Sequence, residues 1–136
     1  MRLINIYTLP PHNVREFLWK ELQRRDPKVN ISHKKMPTWE EHTAFVYSKP
    51  YRDWLIMEHD GVWIGQAYLT HANEIGVHVY PENQGRGFGK QAVQRIMANY
   101  GPRRYLANIA PDNVGSQDFF RGLGFKLIQY TFELET

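Results

Sequence analysis

Gln84-Gly85-Arg86-Gly87-Phe88-Gly89 lies between a short apolar run and an amphipathic stretch with helical spacing, and its reading decides the fold. Alternate glycines let the backbone take conformations closed to residues with a Cβ and come close to a ligand. The helix that follows turns its unpaired N–H groups and positive dipole end toward the same loop, so a strand, a glycine loop and a helix in this order form an anion cradle. Two commoner phosphate loops fail on the same letters. A P-loop of the form G-x-x-x-x-G-K-[ST] is excluded because Gly89-Lys90 is followed by Gln91 and position 84 is not glycine. A dinucleotide fingerprint G-x-G-x-x-G is excluded because Phe88 alone separates Gly87 from Gly89.

Outward from the loop, the element pattern is mixed. Residues 2–9 alternate as a strand that Pro10-Pro11 ends, and Val14, Phe17, Leu18 and Leu22 recur at helical spacing after it. An irregular, mobile segment over 26–37 precedes a second helix, with Thr38 and Glu41 as its capping box, that runs to about residue 49. Strands over 54–58 and 62–69 meet at His59-Asp60-Gly61, a tight-turn signal. A strand over 74–80 ends at Pro81, a helix covers about 87–99, and Gly101-Pro102 stops it. A strand over 104–109, a short helix over 113–122 and a final strand over 125–134 complete the order. The expected class is α/β with a mixed sheet, about four helices and at least one parallel strand pair, in one domain over residues 1–136.

Composition narrows the partners. The chain has 136 residues, a net charge of +3 and an isoelectric point near 9.2. Its basic residues gather at Arg24, Arg25, Lys28, Lys34 and Lys35, and again at Arg86, Lys90, Arg95, Arg103 and Arg104 around the glycine loop. Only the second group calls for a polyanionic ligand, so nucleic acid is not expected as a partner. No apolar run reaches the ~20 residues that cross a bilayer and no signal peptide is evident, so a cytoplasmic protein without membrane contact is expected. Zero cysteines exclude disulfides, thiolate ligands and a cysteine acyl-enzyme, and the six histidines show no metal spacing.

A second motif, Asn113-Val-Gly-Ser116-Gln-Asp-Phe119-Phe120-Arg-Gly-Leu123-Gly124-Phe125, reads by itself as a capped helix with an apolar stripe and a glycine stop. Together with the loop and the element order, it resembles the GNAT superfamily of acyl-CoA N-acyltransferases over most of the chain. The resemblance implies the GNAT fold and acetyl-CoA as co-substrate. By motif position, the backbone of Val77, His78 and Val79 would pair with the pantetheine arm. Gln84, Gly85, Arg86, Gly87, Phe88, Gly89 and Lys90 would hold the pyrophosphate. Asn113 and Phe120 would lie beside the pantetheine.

The chemistry so implied is attack of a primary amine on a thioester carbonyl through a tetrahedral intermediate, which needs a base and a fixed donor for the oxyanion. A backbone N–H near Val79 is the family's natural donor, Glu74 is the first candidate for the base, and His78, on the same strand face, could relay a proton. The chain departs from the branch that acetylates ribosomal-protein N-termini. Asn108 and Phe120 stand where that branch carries a glutamate base and a tyrosine acid, so Tyr130, Tyr80 or a water is left to serve the departing thiolate. The first two helices should choose the acceptor, a small-molecule amine or a protein amino group. Trp39-Glu40-Glu41-His42 loosely resembles the glutamate–histidine helix of enzymes that acylate amino sugars, and capping and packing explain it equally well. An alternative is a GNAT-shaped acyl-CoA-binding module or sensor with little catalysis. The final strand has little sequence after it, so a partner subunit could complete the sheet edge as a homodimer.

Overall fold

The computed structural model describes residues 1–25 and 35–136. The irregular segment expected over 26–37 therefore falls largely outside the described residues. Four strands, β1 (Arg2–Asn5), β2 (Asp53–His59), β3 (Val62–Leu69) and β4 (Ile75–Val79), lie side by side in chain order, each pair antiparallel. Asp60 and Gly61 both have positive φ, 52° and 77°, the turn geometry whose twist suits a two-residue hairpin between β2 and β3. Four helices, α1 (Pro11–Arg24), α2 (Trp39–Tyr47), α3 (Phe88–Tyr100) and α4 (Val114–Gly122), cover the two faces of the sheet.

Strand alternation divides the core between those faces. Leu55, Met57, Ala67, Leu69 and Ile75 point toward Ala92, Val93 and Ile96 of α3 and Phe120 of α4. Trp54 and Ile56 point the other way, toward Val14 and Leu18 of α1 and Val46 of α2. One irregularity adjusts this pattern. Met57 pairs with Gly65 and Glu58 with Trp63, leaving Ile64 as an extra residue, and this bulge sends Trp63 to the α1 side and Ile64 to the α3 side.

The sheet is shorter at several ends than the sequence pattern predicts. After Asn5 the chain turns into a 3₁₀ turn over Ile6–Thr8, because the Asn5 side chain accepts from the Tyr7 N–H at 2.9 Å and Ile6 buries itself beneath the helices. Helix α2 stops at Tyr47, since Pro50 disfavours helical geometry at Lys49, which sits at φ 51°. Residues 104–109 join the sheet through one parallel bridge, Leu106 with Glu74. The strand expected over 125–134 is not part of the sheet: among the described residues no neighbouring strand receives that segment, and although Phe125 packs against the core, the apolar side chains from Leu127 onward are exposed. The expected parallel connection is therefore present through α3, reduced to one bridge.

Gly65 marks the tightest approach in the sheet. A Cβ there would collide with the His78 carbonyl oxygen and meet Val79 Cα at 3.0 Å, and neither backbone atom can move without breaking β3 from β4. Gly65→Ala should cost about 1–3 kcal/mol of stability by urea denaturation; a variant with an unchanged midpoint contradicts this register.

Candidate active site

The site begins where β4 loses its neighbour. Ile75 N–H donates to the Leu106 carbonyl at 2.8 Å and Leu106 N–H to the Asn73 carbonyl at 3.0 Å, after which the two segments diverge. Strand geometry then points the backbone N–H groups of Val77 and Val79 into the gap, while Gly76, His78 and Tyr80 face β3. Among the described residues no strand occupies that side of β4 beyond Ile75. Of the expected backbone set, Val77 and Val79 thus line the gap and His78 pairs inward with Gln66.

Past the strand, a 3₁₀ turn over Pro81–Asn83 leads into the glycine loop. Gln84 Nε2 donates to the Val79 carbonyl at 2.9 Å and so ties the loop to the strand end by its side chain. Gly85 and Gly87 take φ of 76° and 83°, left-handed conformations that favour glycine, and Gly87 is the N-cap of α3 without any side-chain cap. The first N–H groups of α3 therefore face outward over the loop with no capping side chain. Phe88 turns its ring into the core against His59, 4.6 Å between centroids, so only its backbone belongs to the loop. Gly89 lets the helix approach α4: a Cβ there would sit 3.3 Å from the Phe119 ring. Arg86 covers the Phe88 ring at 4.9 Å, and Lys90 is exposed beside the loop.

Across the gap, Asn113 caps α4, its Oδ1 accepting from Ser116 N–H at 3.1 Å, which leaves the amide nitrogen as its remaining donor. Phe120 is buried, packed edge-on against Phe119 and Phe125 at 5.0 and 5.1 Å.

Glu74 is half-buried at the mouth of the gap. One carboxylate oxygen accepts from the Thr70 hydroxyl at 3.1 Å, and that hydroxyl accepts from Glu74 N–H at 3.0 Å. The other oxygen accepts from the side-chain amide of Asn108. Both oxygens are thus oriented by fixed donors.

Between Glu74 and His78, the space over Gly76 is filled by Tyr68, whose phenol any Cβ at position 76 would strike. Tyr51 stacks on Tyr68 with centroids 4.1 Å apart and planes 5° apart. Burial pushes both phenols up, so both stay protonated around neutrality. Behind them Trp54 Nε1 donates to Gln66 Oε1 at 2.6 Å, Gln66 Nε2 to Glu21 Oε2 at 3.0 Å, and Arg25 grips both Glu21 oxygens at 2.6 and 2.8 Å. His78 borders this network. Desolvation, with the nearby Arg25 guanidinium adding to it, lowers its imidazole to about 4.

This polar layer was missed in the sequence. Its one legible trace is Gly76, whose absent side chain marks the hole that Tyr68 fills; Glu21, by contrast, reads as an ordinary surface residue of an amphipathic helix. The first basic cluster is also partly consumed here, since Arg24 pairs with Glu82 at 2.6 Å and lies over the Tyr80 ring. His42 is buried between Trp19 and Trp39 with Nε2 3.1 Å from the Arg15 carbonyl, inside the α1–α2 packing. Among the described residues no group of His, Asp or Glu could hold a metal, and no helix is long and apolar enough to cross a membrane.

Solved structures share this architecture. A domain from Methanocaldococcus jannaschii DSM 2661 superposes with TM-score 0.78 at 23% identity, covering 97% of this chain and 92% of its own. The aminoglycoside N-acetyltransferase AAC(6')-Iy, in complex with CoA, gives 0.70 at 23% over 99% and 92%. The ribosomal-protein-alanine N-acetyltransferase of Brucella melitensis gives 0.66 at 16% over 93% and 85%. At these identities the likeness is one of fold, and no curated protein sequence matches the chain. The sequence model of the acetyltransferase (GNAT) family matches residues 13–125, spanning the open strand edge and both motifs, and the chain belongs to that family.

Proposed function

We propose that the protein is an acetyl-CoA-dependent N-acetyltransferase that acetylates a primary amine of a small molecule or a protein. One observation carries this reading: the unpaired edge of β4 runs straight into a left-handed glycine loop and an uncapped helix N-terminus. The row of amides so formed suits the pantetheine arm at Val77 and Val79 and the pyrophosphate at Gly85 to Lys90. The CoA held by the similar AAC(6')-Iy supports the choice of co-substrate.

In this reading the amine attacks the thioester carbonyl directly. The Val79 N–H donates to the developing oxyanion, and such a donor is worth roughly 10²–10³ in rate. Glu74 takes the proton from the incoming ammonium, held in position by Thr70 and Asn108. His78, neutral across the working range, binds a proton too weakly to serve as the primary base and instead lends polarity beneath the site. Tyr68 and Tyr80 keep phenolic protons near the β4 face, with Tyr80 also raised by burial, while Tyr130 is 76% exposed on the far tail.

Gly87→Val should weaken acetyl-CoA binding by about tenfold or more in calorimetry, with circular dichroism reporting a retained fold; unchanged affinity removes the loop from the cofactor site. Glu74→Gln should lower kcat roughly 10²-fold in a free-thiol release assay across amines, amino sugars, polyamines and peptides while acetyl-CoA affinity is kept. An undiminished rate excludes Glu74 as the base, and no thiol release with any acceptor favours the non-catalytic alternative. For His78 the folded value lies below the ordinary 6.5, so the unfolded chain takes up the proton first as pH falls. The stability it contributes is complete above about 6.5 and is lost as pH drops toward about 4. His78→Gln should flatten that acid limb in urea denaturation, and an equally steep limb in the variant contradicts the desolvated neutral imidazole.

A further inference from the structure

One side chain bounds the inner end of the gap. Between β4 and residues 104–109 the gap closes where Ile75 N–H donates to the Leu106 carbonyl at 2.8 Å, so no extended ligand can continue along the strand past that bond. The α3 side is shut as well, since Val77, Val79 and Phe119 pack against the apolar core there. The remaining exit lies over Gly76, on the α1 side of β4 and on the same strand face as Glu74 just before it.

Tyr68 occupies that exit. It is the register partner of Gly76, and its phenol lies across β4 with the ring edge and hydroxyl where a Cβ of residue 76 would stand. The ring is braced from behind. Tyr51 stacks on it with centroids 4.1 Å apart, Trp54 meets Tyr51 edge-on at 4.7 Å, and the Trp54 indole is itself held by Gln66 at 2.6 Å. Yet Tyr68 and Gly76 both stay partly exposed, whereas Trp54 and Gln66 behind them are buried, so the outer edge of the phenol faces open space.

We infer that Tyr68, seated over Gly76, sets the acyl-chain length that the site accepts, admitting acetyl and stopping longer chains. The inference rests on the cofactor reading given above. With the thioester carbonyl at the Val79 N–H, the acyl carbons run along β4 toward Val77 and then Gly76, and each added methylene brings the chain nearer the phenol. A longer chain has to displace a ring backed by two further aromatic side chains, and overpacking a close-fitted wall forces side chains off their preferred rotamers. Glycine at position 76 serves this arrangement by leaving free the place that Tyr68 takes.

Calorimetric affinities for free CoA, acetyl-CoA, butyryl-CoA and hexanoyl-CoA test the assignment. The protein should bind free CoA and acetyl-CoA, and should bind hexanoyl-CoA roughly tenfold or more weakly than acetyl-CoA, with butyryl-CoA between. Tyr68→Ala should bring hexanoyl-CoA to within about threefold of acetyl-CoA. Tyr68→Phe, which keeps the ring and loses the hydroxyl, should discriminate as the parent does. Circular dichroism checks each fold, and where Tyr68→Ala does not fold, Tyr68→Leu carries the same expectation. Equal affinity of the unaltered protein for acetyl-CoA and hexanoyl-CoA overturns the inference, as does a discrimination that survives loss of the ring or vanishes with the hydroxyl alone. Free CoA has no acyl group and so separates the two readings. If it binds and chain length makes no difference, only the acyl limit falls; if it does not bind, the cofactor reading falls and the acyl limit with it.

Discussion

The divergence of β4 from residues 104–109 is the constraint on which the rest of the molecule turns. Two backbone hydrogen bonds through Leu106 hold the segments together, and beyond them the amides of Val77 and Val79 are released into a gap. A sheet interior would leave no such groups open, because buried N–H and C=O groups are nearly always paired. An unpaired edge inside a domain is tolerable where a ligand completes it, and the glycine loop at its end extends the same row of donors toward an anion. On the proposed reading, the fold stores its binding capacity in main-chain groups, and the identities of the Arg86, Phe88 and Lys90 side chains matter less to the loop than its glycines.

The two faces of the sheet have separate tasks. On the α3 and α4 side, packing is apolar and close, with Gly89 admitting the Phe119 ring so that helix and strand hold the loop at a fixed distance from the gap. On the α1 and α2 side, a polar chain runs beside the apolar core: Trp54, Gln66, Glu21 and Arg25 form a continuous series of donors and acceptors. Burying Glu21 is costly unless the charge is paired and hydrogen-bonded, and the bidentate Arg25 with the Gln66 amide meets that condition. Such a network fixes α1 against the sheet with little freedom.

Asn108 illustrates how a position can change its chemistry without leaving the site. As a letter it is the loss of a glutamate that a related branch uses as base. In space its amide donates to Glu74, the residue just before β4, so this segment orients that carboxylate. Whether an asparagine is a loss or a positioning group depends on what stands across the gap, which no local pattern reveals.

The loop with its helix, the β2–β3 hairpin at Asp60-Gly61, the capping box at Thr38 and Glu41 and the cap at Asn113 were all legible in the residues. Each is a local event in which a dihedral preference or a short-range hydrogen bond selects the conformation. The boundaries of β1 and α2 were less so, since burial of Ile6 and the strain before Pro50 override the simple period. Non-local facts could not be read from the letters. The Glu21–Gln66–Trp54 chain joins α1 to the distant β2–β3 hairpin, Tyr68 reaches Gly76 only through the register of β3 with β4, and Glu74 meets Asn108 only because the chain crosses over through α3. The residues from Phe125 to Leu134 show the division most sharply: their alternation determines that they suit a strand, but a strand exists only beside another, and tertiary structure alone decides whether one is there.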